Sequence, residues 1–401
     1  MYMWEKRLDL EQIVEIRTKT IVYFGISAIT KITDIAKTLA DQGICKVVVV
    51  TGKGSHIKSG AWEHVKKALD TANIVPVLYS KVTSNPTVDQ VDEATGMALE
   101  FGAQAVIAIG GGSPIDTGKS VAALIANPGK SARELYEYAF MPEKAVPIIA
   151  INLTHGTGTE ANRFAVVSIP EKEYKPAIAY DCLYPLYSID DPALMTTLPP
   201  EQTAYVSIDA VNHVIEAATS KLGNLFAITL ARETISLVKK YLPMAEQDPK
   251  NLEARYYLLY ASMIAGVAFD NGLLHLTHAM EHPLSGVKPD LAHGSGLGVL
   301  LPAVVKHIYP AKAAILAEIL APIVPGLKGE ATEAESAYLG LKQWLKSHGI
   351  KQSLREEGFV DSDVARLTDL AFETPSLELL LSMAPIEATR ETVAAIYKDS
   401  L

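Results

Sequence analysis

Two pairs of side chains in this sequence have the spacing to hold a single cation. Ile208 to Ala217 (IDAVNHVIEA) sets Asp209 and His213 four residues apart. Leu276 to Gly294 (LTHAMEHPLSGVKPDLAHG) does the same with His278 and His282, then adds His293. On a helix, residues i and i+4 share a face, so the tips of each pair approach one another. A single histidine in such a stretch is ordinarily a hydrogen-bonded core or surface residue. Two pairs on separate helices, with a further His just beyond, point instead to one carboxylate and three imidazoles around a metal. That donor set suits Fe2+, Zn2+, Co2+ or Ni2+, and ligand type alone does not choose among them. The spacing is not H-E-x-x-H. A metal so held would act as a Lewis acid on a hydroxyl or carbonyl oxygen.

A second motif has the chemistry to receive phosphate. Ala105 to Ser120 (AVIAIGGGSPIDTGKS) runs from an apolar strand into Gly110, Gly111 and Gly112, then Ser113-Pro114 and a helix. Glycines allow close backbone approach, and the free N–H groups and positive dipole end of a helix attract a pyrophosphate. Ser113 is placed as the N-cap. Lys119, a cation near a helix N-terminus, is unfavourable there unless an anion compensates it. The pattern is neither a Walker A loop nor G-x-G-x-x-G. Asn152 to Glu160 (NLTHGTGTE) follows the next strand and adds the hydroxyls of Thr154, Thr157 and Thr159 at the same sheet edge, where ligands of open α/β sheets gather.

The elements that must position these groups divide the chain in two. Lys46–Thr51, Ile74–Tyr79, Ala105–Ile109 and Pro147–Asn152 are continuous apolar runs, as expected of strands covered on both faces. Helical patterns over 29–42, 61–72, 88–101 and 114–125 alternate with them, predicting an α/β domain with a mostly parallel sheet. Turn residues and paired prolines over Ser188–Pro200 close that part, and beyond Glu201 the patterns are almost all helical. The expected domains are 1–190, α/β, and 191–401, all-helical, with a ligand cleft between them.

Composition narrows the function classes. The chain has 401 residues, 49% of them hydrophobic and 20% charged, which excludes intrinsic disorder. Its net charge of −10 argues against nucleic acid as a partner. Two cysteines, Cys45 and Cys182, exclude a disulfide scaffold and a thiolate-only zinc site, whereas half of the 10 histidines lie between His213 and His293. Met1–Gln12 is charged and lacks the apolar core of a secretory leader, and no apolar run spans a bilayer, so a cytoplasmic protein is expected.

In order along the chain, GGGSPIDTGKS, THGTGTE, the DP-x-L-x(3)-LP element at Asp191–Pro199, DAVNHVIEA and HAMEHPLSG with a later HG resemble the iron-containing (group III) alcohol dehydrogenases. The match covers roughly residues 80 to 310. This resemblance implies a dinucleotide-binding N-terminal domain, an all-α metal-binding C-terminal domain in a dehydroquinate-synthase-like architecture, and hydride transfer in the cleft. It implies Asp209, His213, His278 and His293 as metal ligands, with Fe2+ ahead of Zn2+, and His282 as a proton relay. It further implies Gly110 to Ser113 as the pyrophosphate loop, Asp116 beside the nicotinamide, and Thr154, Thr157 and Leu198 along the cofactor. Homo-oligomers are common in the family. Four positions depart from its pattern: Leu153, before Thr154, stands where a second hydroxyl residue is usual, His155 replaces a small residue, His275 stands where Gly is common, and Glu281 stands where Ala is frequent. The last two either reshape the substrate pocket or face elsewhere.

The nucleotide is argued from the turn after Val47–Thr51. An NAD-selective site commonly has a carboxylate there to meet the ribose 2′-OH. Here the turn reads Gly52-Lys53-Gly54-Ser55-His56, with Lys58 following and no acid. Gly52, Gly54 and Ser55 are therefore expected at the cofactor, with NADP(H) favoured over NAD(H). The expected activity is reversible interconversion of a small primary alcohol and its aldehyde. Rival readings are a metal-dependent lyase of the dehydroquinate-synthase type, a glycerol dehydrogenase or maleylacetate reductase relative, and a non-catalytic binding protein. The lyase needs several Lys or Arg beside the metal, and between Asn271 and Leu300 only Lys288 qualifies.

Overall fold

A computed structural model describes residue 11 and residues 13–401, so the stretch Met1–Gln12 read above for a leader lies outside the described residues, Glu11 excepted. The α/β part contains strands β1 (Ile21–Phe24), β2 (Lys46–Gly52), β3 (Val75–Val82), β4 (Ala105–Gly110), β5 (Ile148–Asn152), β6 (Phe164–Val166), β7 (Ala177–Ala179) and β8 (Tyr187–Asp190). Its helices are α1 (Ile32–Asp41), α2 (Ser55–Lys58), α3 (Ala61–Thr71), α4 (Val88–Phe101), α5 (Gly112–Ala126) and α6 (Ala132–Tyr136). Six strands form one parallel sheet in the order β1-β8-β5-β4-β2-β3, while β6 and β7 form a separate antiparallel hairpin.

The continuous apolar runs take their form from this topology. Along β2, Val47 and Val49 pack into the core on one face of the sheet, and Val48 and Val50 into the core on the other. Side chains alternate across a strand, so a strand covered by helices on both faces needs apolar residues at every position. The order also places a switch point between β2 and β4, because the chain leaves β2 towards β3 and returns to pair β4 on the opposite side. The carboxyl ends of β2 and β4, carrying Gly52-Gly54-Ser55 and Gly110-Gly111-Gly112, therefore open into one crevice.

One expectation about the end of this part is corrected. Ser188–Asp190 is sheet, not turn: β8 lies between β1 and β5. Its polar residues disguise it, yet Ser188 and one oxygen of Asp190 find partners inside the fold. The Ser188 hydroxyl donates to the Glu160 carbonyl at 2.6 Å, and Asp190 accepts from Asn152 at 3.1 Å. Strands β1 and the β6–β7 hairpin are likewise too short to show a period.

From Pro200 the chain is helical: α7 (Pro200–Thr219), α8 (Leu225–Gln247), α9 (Leu252–Gly272), α10 (Leu276–Val287), α11 (His293–Leu320), α12 (Ala334–Ser347), α13 (Asp363–Glu373), α14 (Leu377–Ser382) and α15 (Arg390–Asp399). Helix α7 is buried almost all round from Thr203 to Thr219, as a central core helix must be. Helix α11 is long and apolar enough by length and composition to cross a membrane, but its residues join the same core as α7 to α10. Between α9 and α10 the chain bends by 108°, with Leu273 in the left-handed region at φ 60°. That turn costs on the order of 1 kcal/mol for a residue with a Cβ and redirects α10 across α7.

Candidate active site and metal centre

Helix α7 presents Asp209 and His213 on one face, and α10 presents His278 towards them. His293 is the first residue of α11. The next residue, Gly294, lies so close to α7 that a Cβ there would stand 2.1 Å from the Tyr205 carbonyl oxygen, so glycine sets how near the α11 terminus comes. The result is a convergence on one atom. Asp209 Oδ1 lies 3.4 Å from His213 Nε2, 3.5 Å from His278 Nε2 and 3.9 Å from His293 Nε2. Asp209 Oδ1 and His278 Nε2 are buried with no hydrogen-bond partner, a costly arrangement unless a cation satisfies both. The His213 ring stacks between Phe269 at 4.5 Å and His278 at 4.6 Å, which fixes its plane.

The electrostatics of this cluster favour positive charge at its centre. Burial alone would raise the Asp209 carboxyl, but the surrounding imidazoles, His213 foremost, hold it well below the usual carboxylate range. Burial opposes charge on His278, yet Glu216 and Asp209 outweigh it and push its pKa up to about 9. Behind the cluster, Glu216 accepts from His278 Nδ1 and from the backbone N–H groups of His275 at 3.0 Å, Thr277 at 2.9 Å and His278 at 3.3 Å. His293 Nδ1 meets Glu281, which also contacts the Lys175 ammonium at 3.3 Å and the Ser285 hydroxyl. A second set of converging donors, Glu281, His282 and His293, therefore shares His293 with the first, but its carboxylate is already paired.

A cavity of about 700 Å3 runs from this cluster to the crevice in the sheet. At its far end Gly111 and Gly112 lie under the loop after β5. A Cβ on Gly111 would stand 2.8 Å from Thr154 Cγ2, and one on Gly112 2.6 Å from Thr157 Cγ2, so the cradle exists only for glycine. Gly52, Gly54, Ser55, Ser113, Asp116, Thr154, Thr157 and Leu198 all line the cavity, as do Asp209, His213, His278, His282 and His293. Phe164, Val166, Phe269 and Leu274 make the wall nearest the histidines apolar.

Several expectations change here. Helix α5 begins at Gly112 with Gly111 as its cap, so Ser113 lies in the first turn and caps nothing. Lys119 does not face the cavity. Its ammonium is fully buried and donates to the carbonyls of Thr159 (2.7 Å), Asn162 (2.9 Å) and Phe164 (2.7 Å) and to the Thr159 hydroxyl (2.7 Å). Burial lowers its pKa to about 8, an effect that Asp116 partly opposes. Asp116 sits on the cavity wall, but its oxygens accept from the Thr159 hydroxyl (2.7 Å) and the Val166 N–H (3.0 Å). Both side chains tie the cradle to β6, and the Lys119 ammonium is not free to hold a phosphate. His275 faces elsewhere: it caps α10 and its Nε2 meets the Thr219 hydroxyl at 2.9 Å. His155 is buried, with Nε2 2.9 Å from Arg255, whose guanidinium also donates to the Leu198 carbonyl at 3.1 Å.

Sequence reasoning missed Glu216 and Lys175. Glu216 had a signal, since Asp209, His213 and Glu216 follow an i, i+4, i+7 stripe on one helix face. Lys175 had none, because the segment between β6 and β7 brings it to Glu281 and His293, each more than a hundred residues away in the chain.

Family models described as iron-containing alcohol dehydrogenase and as the C-terminal part of the Fe-containing alcohol dehydrogenase family match residues 19–192 and 203–401. The chain is 58% identical over 398 residues to a long-chain primary alcohol dehydrogenase of Thermoanaerobacter ethanolicus, covering 99% of this chain and 100% of that one. It is 31% identical to an NAD-dependent methanol dehydrogenase of Bacillus methanolicus, over 92% of this chain and 96% of that one. The crystal structure of an NADH-dependent butanol dehydrogenase from Thermotoga maritima superposes with a TM-score of 0.88 at 29% identity, covering 97% of this chain and 98% of that one.

Proposed function

Because the chain belongs to the iron-containing alcohol dehydrogenase family, we propose that it interconverts a primary alcohol and its aldehyde at an Fe2+ centre formed by Asp209, His213, His278 and His293, preferring NADP(H) to NAD(H). One observation carries this reading. Three Nε2 atoms converge on a buried, unpartnered Asp209 oxygen at one end of a cavity whose other end is a glycine cradle. The same donors accept Zn2+. When bound, the metal would polarise the substrate oxygen while the nicotinamide exchanges the hydride.

The chain's own residues supply binding, orientation and a proton path. In this reading residues 1–190 hold the nucleotide and 191–401 the metal and substrate. Phe164 and Phe269, with ring centroids 5.2 Å apart beside His213, exclude water and suit an alkyl chain. His282 lines the cavity with Nδ1 unpartnered, and burial together with the nearby Lys175 keeps its pKa well below the usual value. A neutral imidazole there would accept the hydroxyl proton of the alcohol and return it in the reverse direction. The preference for NADP(H) rests on Ser55 and Lys58, which line the cavity at the end of β2, where no carboxylate occurs before Glu63. Among the described residues the ammonium groups lining the cavity are those of Lys58 and Lys175, and Lys175 is paired with Glu281, which supports an oxidoreductase over a lyase.

The test is elemental analysis of stripped and Fe2+- or Zn2+-refilled protein, coupled to NADPH and NADH oxidation with straight-chain aldehydes from acetaldehyde to decanal. Bound metal and a higher kcat/KM for NADPH are expected, with Lys58→Glu narrowing that preference. Protein that binds no divalent metal would remove the centre. A kcat/KM for NADH equal to or above that for NADPH would reverse the choice of nucleotide.

A further inference from the structure

His293 differs from the other side chains of the cluster in how it is held. Its side chain is 26% exposed, against 6% or less for Asp209, His213 and His278. It is also the first residue of its helix, where no preceding turn confines the ring. What confines it lies behind Nδ1. Glu281 is wholly buried on α10, and its Oε2 meets that nitrogen. A carboxylate only accepts hydrogen bonds, so Nδ1 carries the ring hydrogen and Nε2 keeps its lone pair turned to Asp209 Oδ1.

A wholly buried carboxylate needs a counter-charge. Glu281 finds it in Lys175, whose ammonium lies 3.3 Å from Oε2 and 3.2 Å from His293 Nδ1. Lys175 reaches the site from the segment joining β6 to β7, not from any helix of the metal cluster. His278 has an equivalent carboxylate in Glu216, but that one is fixed by three backbone N–H groups. The two histidines are thus supported differently, one by rigid backbone and the other by a side chain reaching in from the hairpin.

We propose that Glu281, charge-compensated by Lys175, is a positioning residue that fixes the tautomer and orientation of His293, so that metal retention depends on a Lys175–Glu281 pair built between the hairpin and α10. This rests on the metal centre proposed above. Carboxylates behind metal-bound histidines typically govern affinity 10- to 100-fold. The experiment measures the Fe2+ and Co2+ dissociation constants of the full chain by chelator competition, for wild type, Glu281→Ala, Glu281→Gln and Lys175→Met. Nucleotide binding by the metal-free proteins reports that each variant is folded.

Glu281→Ala is expected to weaken metal binding about 10- to 100-fold and to shift the visible spectrum of the Co2+ form. Glu281→Gln, which keeps an acceptor oxygen, should recover part of that loss, and Lys175→Met should weaken binding with Glu281 present. If Glu281→Ala does not fold, the Gln and Met variants decide alone. Wild-type affinity and an unaltered Co2+ spectrum in the folded variants would overturn the proposal while leaving the metal centre intact. Wild-type protein that takes up no metal would overturn the centre itself, and the proposal with it.

Discussion

Replacing Lys119 with methionine separates a structural cation from a phosphate ligand. The ammonium is fully buried and faces four oxygens: the carbonyls of Thr159, Asn162 and Phe164 and the hydroxyl of Thr159. Methionine fills most of the volume but donates nothing. Each buried acceptor left unpaired costs ~1–3 kcal/mol, although Thr159 keeps its bond to Asp116 and some carbonyls relax towards water. Asp116 and the neighbouring Glu160 also lose their compensating charge, and breaking one partner out of a buried charge pair costs about 3–5 kcal/mol. These terms overlap, so the net loss is set at about 3–5 kcal/mol, which corresponds to a melting temperature lower by roughly 10 °C. Differential scanning fluorimetry of metal-free Lys119→Met measures it, with nucleotide affinity measured by fluorescence titration at a temperature where the variant is folded. The expected pattern is a large loss of stability with a modest change in affinity. Unchanged melting with nucleotide affinity lowered more than tenfold would refute the reasoning and make Lys119 a phosphate ligand.

Gly112→Ala should place its Cβ 2.6 Å from Thr157 Cγ2 and weaken nucleotide binding about tenfold, since overpacking of this kind costs ~1–3 kcal/mol. Adding Thr157→Ser, which removes that methyl, should recover part of the affinity in isothermal titration, and a double variant no better than the single would contradict the contact. For Glu216, burial would raise the carboxyl, but His278 above all lowers its folded-state pKa to about 2 from 4.5. Its contribution to stability is therefore complete above about 4.5 and lost as the pH falls from there towards 2. Urea denaturation of the metal-free protein between these limits should show a shallower acid dependence for Glu216→Gln than for wild type, and parallel curves would count against the ion pair.

Much of this molecule follows from local spacing. The runs at Lys46–Gly52 and Ala105–Gly110 announce buried parallel strands because both faces of each strand are covered, which demands apolar residues without alternation. Asp209 with His213, and His278 with His282, announce helix faces because a period of 3.6 residues fixes which side chains are neighbours. Strands β1 and β8 escaped because each has four residues, and β8 hides Ser188 and Asp190 inside the sheet through bonds to distant partners.

What the amino-acid order determined by itself was therefore a set of candidate donors, the glycine turn and the two kinds of architecture that carry them. Tertiary structure alone decided which atom of each group faces which neighbour. It turned Lys119 into the wall and away from the cavity, engaged both oxygens of Asp116, and sent His275 to cap a helix. It also delivered Lys175 to Glu281 and Glu281 to His293, and set His282 on the cavity wall with a free nitrogen. The reason is that periodicity specifies a face, whereas hydrogen bonding and charge compensation in a buried site depend on what another segment brings within about 3 Å, which no spacing within one segment encodes.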